Sequence, residues 1–160
     1  MESESFDETN AERIVAKLNN LLANYSLFYQ NARGFRWHIK GGKSEDLKEK
    51  FYELYSNLQK KIDKIADRII ALGHRPDNIF SEYISLSLIP ESKKIWEEEE
   101  AIANIIESYS TLINLQKKIA EKATELGDEE TRELMNDFIR GQEIKIEMYF
   151  SYLKTNLDSN

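Results

Sequence analysis

The chain of 160 residues contains no cysteine, two prolines and six glycines. The lack of cysteine excludes disulfides, thiolate zinc sites and cysteine nucleophiles. No segment approaches the roughly 18 consecutive apolar residues of a membrane-spanning helix, so we expect no membrane partner. The scarcity of glycine and proline, with 41% hydrophobic and 32% charged residues, is typical of an all-α protein.

Basic residues are scarce at both ends of the chain, and the net charge is −7. The first twelve residues hold five acids and no Lys or Arg, unlike a signal or transit peptide. We therefore expect a cytoplasmic protein with one domain over 1–160, including an acidic tail at 1–11 and a short tail at 155–160. Because phosphate backbones are repelled unless positive charges cluster, the sequence also argues against DNA binding.

Apolar residues recur at helical spacing along four long segments, the first of which predicts a helix of about 25 residues. The four sets are Ile14, Leu18, Leu21, Tyr25, Phe28, Ala32 and Phe35; Leu47, Phe51, Leu54, Leu58, Ile62, Ile65, Ile69 and Leu72; Ile95, Ile102, Ile105, Tyr109, Leu112, Ile119 and Leu126; and Met135, Ile139, Gln142, Ile146, Tyr149 and Leu153. Breaks at Gly41-Gly42, Gly73 and Gly127 separate the segments, and Asp128 opens the last. Four such helices predict a four-helix bundle.

The connections between these helices favour one topology. Tight glycine turns join the first pair and the last pair, which predicts two antiparallel hairpins. A longer connection, 73–92, lies between the hairpins, and "DNIFSEYISLS" within it predicts a short helix capped by Asp77. The predicted fold is therefore an all-α, ferritin-like four-helix bundle whose long crossover between helices 2 and 3 carries a short extra helix.

Bundles of this kind often hold two iron ions through Glu-x-x-His motifs. The two histidines are His38 and His74, and the residues three places before them are Phe35 and Ala71. The sequence therefore excludes the ordinary iron site inside the bundle.

A second arrangement of acids could still hold a cation. Asp63 and Asp67 are one helical turn apart and share a helix face, where two carboxylates can bind a metal ion. Upstream of them, however, stand Arg36 and Lys48. From spacing alone, Asp63 and Asp67 are either a metal site or ordinary surface acids.

Long stretches of the chain resemble one family. The runs "LLANYSLFYQNARGFRWHIKGGKSEDLKEKFYELYSNLQKKIDKIADRIIALGHRP", "FSEYISLS" and "LGDEETRELMNDFI" look like the Dps mini-ferritins, the DNA-binding proteins from starved cells. The resemblance extends over residues 12–154. It implies a hollow homo-oligomer of twelve subunits that oxidises and stores iron, and some members of the family also bind DNA.

The resemblance also implies where iron oxidation would occur. In the family, one subunit gives two histidines and its neighbour gives two acids four residues apart. On this chain the acids fall on Asp63 and Asp67, and the histidine positions fall on Arg36 and Lys48. The resemblance also places Trp37 at the subunit interface.

Neither Arg36 nor Lys48 is suited to act as a metal ligand. Arg offers only donors, and a Lys beside carboxylates keeps its proton. We therefore predict an intersubunit salt-bridge cluster of these four charged residues in place of the metal, and a degenerate ferroxidase site. Whether the chain is an enzyme stays open, as does the role of His38, two places beyond Arg36.

Acids at the start of the last helix form a further candidate site. Asp128, Glu133 and Asp137 match the positions that line the iron-conducting pores of the family, which would concentrate cations there. The alternative is that they complement the helix dipole, an account that fits Asp128 and not Asp137. Iron is the implied cofactor, held at the pores or on the inner surface.

Two functions remain open after these observations. One is a Dps-like shell for iron sequestration and stress protection, with weak or absent iron oxidation. The other is a non-catalytic structural or binding shell that has lost iron chemistry. The pore acids favour the first, whereas Arg36 and Lys48 favour the second.

Overall fold

The structure, a computed structural model, describes residues 2–40 and 44–158, with side chains described for 8–40 and 45–154. Its five helices are α1 (Glu2–His38), α2 (Ser44–Ala71), α3 (Phe80–Leu86), α4 (Glu98–Leu126) and α5 (Glu129–Asp158). Helix α1 packs against α2 and α4, α4 packs against α5, and α3 lies on α1. The residues of the four apolar sets are buried or half-buried between these helices. The all-α bundle with a short helix in its long crossover is confirmed. Among these residues no helix is long and apolar enough to cross a membrane.

Helix α1 is longer than its apolar set predicts. Its backbone is helical from Glu2, whereas the set begins at Ile14, so residues 2–11 continue the helix. This segment contains no Pro or Gly that would stop a helix. The predicted turn at Gly41-Gly42 lies outside the part of the chain that the structure describes.

The predicted glycine stops are confirmed at the ends of α2 and α4. Gly73 has φ +86° and Gly127 has φ +75°, a left-handed conformation that glycine adopts without the clash of a Cβ. The amide of His74 donates to the carbonyl of Ile69 at 3.2 Å, and Asp128 N donates to the Ala123 carbonyl at 2.8 Å. Both helices therefore end where the sequence predicts.

The prediction that Asp77 caps the short helix is wrong. Helix α3 follows Ile79, and no side chain caps it. The main chain of Asp77 instead contacts other elements, since its N–H donates to Asn19 Oδ1 at 3.0 Å and its carbonyl accepts from the Tyr83 hydroxyl. One hydrogen bond to α1 and one to Tyr83 of α3, rather than a side-chain cap, therefore hold the start of the crossover.

Asparagines of α1 hold the far end of the crossover. Asn24 Oδ1 accepts from the amides of Leu88 and Ile89 at 3.0 and 3.1 Å. Asn31 Oδ1 accepts from Ser92 N at 2.9 Å, while its Nδ2 donates to the Pro90 carbonyl at 2.9 Å. These bonds satisfy main-chain groups that lie outside regular helix, so the long connection is tied down at several points.

A closed ring of hydrogen bonds lies at the centre of the bundle. The Tyr25 hydroxyl donates to Gln116 Oε1 at 2.5 Å, Gln116 Nε2 donates to Gln142 Oε1 at 2.6 Å, and Gln142 Nε2 donates back to the Tyr25 oxygen at 2.6 Å. All three side chains are fully buried. This Tyr–Gln ring joins α1, α4 and α5 through uncharged groups.

Candidate functional site

The two cations of the predicted site lie at one end of the α1–α2 hairpin. Arg36 is in the last turn of α1, Lys48 is near the start of α2, and both side chains are half-buried. The guanidinium carbon of Arg36 lies 5.4 Å from the centroid of the Tyr52 ring, one turn beyond Lys48. Stacking on an aromatic face is a geometry that suits Arg and holds its charge near the surface.

The two acids lie far from these cations within the chain. Lys48 and Asp63 are fifteen positions apart on α2, about 22 Å along its axis at about 1.5 Å per residue. Asp63 and Asp67 are exposed, and neither forms an ion pair with any residue of which the structure describes the side chain. A single chain therefore cannot bring the four charges together. Only a second chain could do so.

The residues present do not suit an iron ligand set. Arg36 has no lone pair to give, and Lys48 would have to lose its proton first. Across residues 8–40 and 45–154 no group of three or more His, Asp or Glu side chains is arranged to hold a metal ion. Two carboxylates alone, Asp63 and Asp67, are a weak and incomplete site for iron.

Trp37 is exposed beside a broad apolar groove. Its side chain is 51% exposed, and the guanidinium carbon of Arg33 lies 4.9 Å from its ring centroid. The groove has a volume of about 730 Å³ and also includes Phe80 of α3 and Trp96. His38 is exposed at its edge. The resemblance places Trp37 at a subunit interface, and in the single chain Arg33 covers only part of it.

The acids at the start of α5 differ in their surroundings. Asp128 is held inside the chain: Oδ1 accepts from Arg68 Nη2 at 3.0 Å and from Thr131 N at 3.1 Å, and Oδ2 accepts from Thr131 Oγ1 at 2.5 Å. It is therefore both the N-cap of α5 and the partner of an arginine from α2. Asp137 pairs with Arg140, and Glu133 is exposed.

Comparison with known proteins identifies the family. The ferritin-like domain family matches residues 15–157. The chain is 34% identical over 152 residues to the DNA protection during starvation protein of Porphyromonas gingivalis, covering 95% of this chain and 96% of that one. It is 40% identical in sequence to the Dps protein of Vibrio cholerae O1, whose crystal structure matches with a TM-score of 0.90 over 91% of this chain and 92% of that one. This chain belongs to the Dps family.

A further Dps structure has the same fold. The Staphylococcus aureus protein is 25% identical, with a TM-score of 0.86 and coverage of 89% of this chain and 95% of that one. The V. cholerae structure is described as a member of a broad superfamily of ferritin-like diiron-carboxylate proteins.

Two groups of residues were not predicted from the sequence. The Tyr–Gln ring was visible only as Gln142 standing in an otherwise apolar set, a polar residue at a core position. The contact of Lys61 with the Phe138 ring, 5.7 Å from Nζ to the centroid, had no signal in spacing because it joins α2 to α5. Both groups depend on which helices become neighbours.

Proposed function

We propose that this Dps chain is a subunit of a hollow homo-oligomeric shell that sequesters iron and protects against stress, with a degenerate ferroxidase site between subunits. Iron is the cargo of such a shell. Membership of the Dps family supports the general role. The degenerate site rests on a single observation, which is that Arg36 and Lys48 present only hydrogen-bond donors where a lone pair would be needed.

The charge balance of the proposed cluster explains the loss of iron oxidation. Asp63 and Asp67 together carry −2, and Arg36 and Lys48 carry +2. When an interface brings them together, the field that would draw Fe²⁺ is cancelled, and the carboxylates accept hydrogen bonds from the cations instead. Such a cluster fixes how two chains align more than it adds to their affinity.

The exposed apolar side chains of the single chain support assembly. Phe80 is 81% exposed, Leu88 is 70% exposed, and Trp37 and Trp96 are each more than half exposed. Trp37, Phe80 and Trp96 line one groove. A monomer would leave these apolar side chains in water, at a cost of about 25 cal/mol per Å². We propose that other copies of the chain cover them, in the family's shell of twelve.

The alternative, a shell without any iron chemistry, is favoured by the pairing of the pore acids. Arg68 offsets the charge of Asp128, and Arg140 offsets that of Asp137. Only Glu133 of the three acids has no ion pair among the described side chains. A funnel with most of its charge offset draws cations weakly. We nevertheless favour residual iron handling, through Glu133 and inner-surface carboxylates, in the cytoplasm and without DNA binding.

The decisive experiment measures Fe²⁺ oxidation with oxygen and then with hydrogen peroxide. The natural protein is compared with an Arg36→His, Lys48→His double variant. A Lys117→His, Lys118→His double variant is the control, because it adds two histidines at exposed positions of α4. All three proteins are first checked for the same assembled mass.

We expect the natural protein and the control to oxidise iron no faster than buffer, and the first double variant to oxidise it measurably. That result identifies a disabled site on an intact scaffold. If the natural protein is already fast, the iron centre lies elsewhere and the proposal is wrong. If the natural shell also retains no iron after prolonged aerobic incubation with Fe²⁺, the alternative function stands. A mobility shift of DNA by the natural protein would contradict the last part of the proposal.

A further inference from the structure

One arginine of α1 is held in place by aromatic rings and has no acidic partner. The guanidinium carbon of Arg33 lies 5.4 Å from the centroid of the Tyr29 ring and 4.9 Å from that of Trp37. Its Nη1 donates to Gln30 Oε1 at 3.1 Å, a neutral acceptor. Within the described side chains, no ion pair includes Arg33. Two rings and one amide therefore orient a charged group that has further N–H donors to give.

The groove that contains Arg33 has a local excess of positive charge. Phe80 gives it an apolar wall, and its volume is about 730 Å³. Lys93 and Lys94 also line the groove, whereas Glu91 is the one acid among its described lining residues. This balance is the reverse of that of the whole chain, whose net charge is −7. The groove therefore suits a partner surface that is both apolar and negatively charged.

The same chain presents such a surface on α2. Asp63, Asp67 and Ile70 follow the i, i+4, i+7 spacing, so they share one face of the helix. Both aspartates are exposed, and Ile70 is 59% exposed although it is apolar. This acidic stripe, defined by these three residues, has the charge that the groove lacks beside an apolar side chain. The two surfaces are therefore complementary in charge and in polarity.

A single chain cannot bring the acidic stripe to its own Arg33. Helices α1 and α2 are antiparallel, and Tyr29 faces Tyr55 with ring centroids 6.0 Å apart. Arg33 is four residues after Tyr29 on α1, and Asp63 is eight residues after Tyr55 on α2. Because the helices run in opposite directions, these offsets add up to twelve residues, or about 18 Å along the axes at about 1.5 Å per residue. The two surfaces can meet only between copies.

We propose that Arg33 anchors an interface in which the groove of one copy receives the acidic stripe of a second copy. The Arg33 guanidinium donates charge-assisted hydrogen bonds to a carboxylate of the stripe, and Ile70 packs among the apolar side chains of the groove. In a twofold arrangement the stripe of the first copy occupies the groove of the second, so each contact occurs twice. The inference rests on the proposed function in one respect, since both require Asp63 and Asp67 to face another copy.

This contact adds to the proposed salt-bridge cluster and does not replace it. Each carboxylate has two oxygens, so the two aspartates of the stripe can accept hydrogen bonds from Arg33 as well as from Arg36 and Lys48. Stacking on two rings orients the Arg33 guanidinium before assembly, so less conformational freedom is lost in its contact than in that of a lysine. Arginine and aromatic side chains in a groove also dominate the binding energy of many interfaces. We therefore expect Arg33 to contribute strongly to assembly.

Tryptophan fluorescence and native mass spectrometry of the full chain, diluted stepwise, test this interface. Both tryptophans of the chain, Trp37 and Trp96, line the groove and are more than half exposed in the single chain. Indole emission moves to longer wavelength when the ring passes from a covered site into water. We expect that shift to accompany the loss of the assembled mass. If assembled and dissociated protein have the same emission, the groove is not covered by assembly and the proposal is wrong.

Single substitutions test the two sides of the interface against matched controls. Arg33→Met removes the charge and keeps an apolar side chain over the rings, and Ile70→Ser removes the apolar part of the stripe. The controls are Arg13→Met and Ile144→Ser, at exposed positions of α1 and α5. We expect each test variant to need at least about tenfold more protein for half of the chains to assemble, since a hydrogen bond to a charged group is worth about that factor. We expect no change in the controls.

A double-mutant cycle tests whether Arg33 acts through the acidic stripe. In the Asp63→Asn, Asp67→Asn background, Arg33→Met should have little further effect on assembly. Full assembly of Arg33→Met, or the same weakening with and without the aspartates, would overturn the proposal. If Arg33→Met fails to fold by circular dichroism, Ile70→Ser and the emission shift decide.

None of these measurements involves iron, so the two proposals can fail separately. A natural protein that oxidises Fe²⁺ rapidly would refute the degenerate site and leave the interface at Arg33 standing. An Arg33→Met protein that assembles like the natural one would refute the interface and leave the iron result unchanged.

Discussion

Replacing Tyr25 by Phe should destabilise the fold far more than the loss of one hydroxyl suggests. The change removes the donor to Gln116 Oε1 and the acceptor for Gln142 Nε2, so two fully buried amide atoms lose partners that lie at 2.5 and 2.6 Å. A buried polar group left unpaired costs about 1–3 kcal/mol. We therefore expect a loss of about 2–5 kcal/mol in the free energy of unfolding, without any cavity.

Removing the whole Tyr–Gln ring should cost less than removing one member. In the triple variant Tyr25→Phe, Gln116→Leu, Gln142→Leu no buried amide remains to be satisfied, so we expect it to be at least about 1 kcal/mol more stable than Tyr25→Phe alone. Burial raises the pKa of Tyr25, so its phenol remains a neutral donor at physiological pH. The ring is therefore an arrangement in which each member is needed because the others are present.

The measurement is urea unfolding followed by circular dichroism, at one fixed protein concentration because assembly contributes to stability. Tyr109→Phe is the matched control. Tyr109 is also buried, and its hydroxyl has no hydrogen-bond partner among the side chains and main-chain groups that the structure describes. We expect that control to cost less than about 1 kcal/mol. A Tyr25→Phe cost below about 0.5 kcal/mol, or three substitutions whose costs simply add, would refute this reasoning.

Three further predictions concern stability and use the same unfolding assay. Arg68→Met should cost about 1.5–3 kcal/mol of stability, because Arg68 is 15% exposed and pairs with Asp128 and Glu130. Arg132→Met should cost less than about 0.5 kcal/mol, because the ion pair of Arg132 is exposed. Equal costs would contradict this prediction. Gly127→Ala should destabilise the fold by about 1–2 kcal/mol because the φ of Gly127 is +75°. Gly141→Ala should stabilise it by about 0.5–1 kcal/mol, because Gly141 lies in a helix with open space around it. Two changes in stability of the same sign would contradict this prediction. The pKa of Lys61 is about 8 in the fold and 10.5 in the unfolded chain, so between these pH values the unfolded state binds more protons. The free energy of unfolding of the natural protein, relative to that of Lys61→Met, should therefore rise from pH 8 to 10.5. A difference that does not change with pH would disprove this prediction.

The helices and their ends were predictable from the sequence because the relevant physics is local. Apolar spacing follows the turn of a single helix, and Gly73 and Gly127 stop helices because glycine alone adopts φ near +80° without strain. The Asp77 prediction failed for the complementary reason. Its amide donates to Asn19 of α1, which is far away in the sequence, and its carbonyl accepts from Tyr83 inside α3. Neither bond is a side-chain cap that a local motif would predict.

The interior and the site show the limit of the same reasoning. Gln142 could be seen as a polar residue in an apolar set, yet its partners come from two other helices and no spacing rule links them. The four charged residues of the proposed ferroxidase position could be named only through the family resemblance. Their identities follow from the sequence, but the proposed contact between them would need a second chain.

That dependence on a second chain leads to a prediction about assembly. In the Arg36→Glu, Lys48→Glu variant, an interface that contains all four positions would bring together four carboxylates. Like charges placed against one another cost several kcal/mol, so we expect the shell to dissociate into smaller species. Reversing Lys117 and Lys118 on exposed α4 positions changes the net charge equally and should leave the assembled mass unchanged. Native mass spectrometry measures the mass of all these species.

The compensating variant then tests whether these residues meet between chains. Adding Asp63→Lys and Asp67→Lys to the two Glu substitutions restores opposite charges across the interface, although within one chain Lys48 and Asp63 stay about 22 Å apart. A contact between chains therefore predicts recovery of the assembled mass, which no account confined to a single chain can provide. If the fourfold variant assembles no better than the Glu variant, or if the Glu variant assembles fully, the four residues do not share an interface.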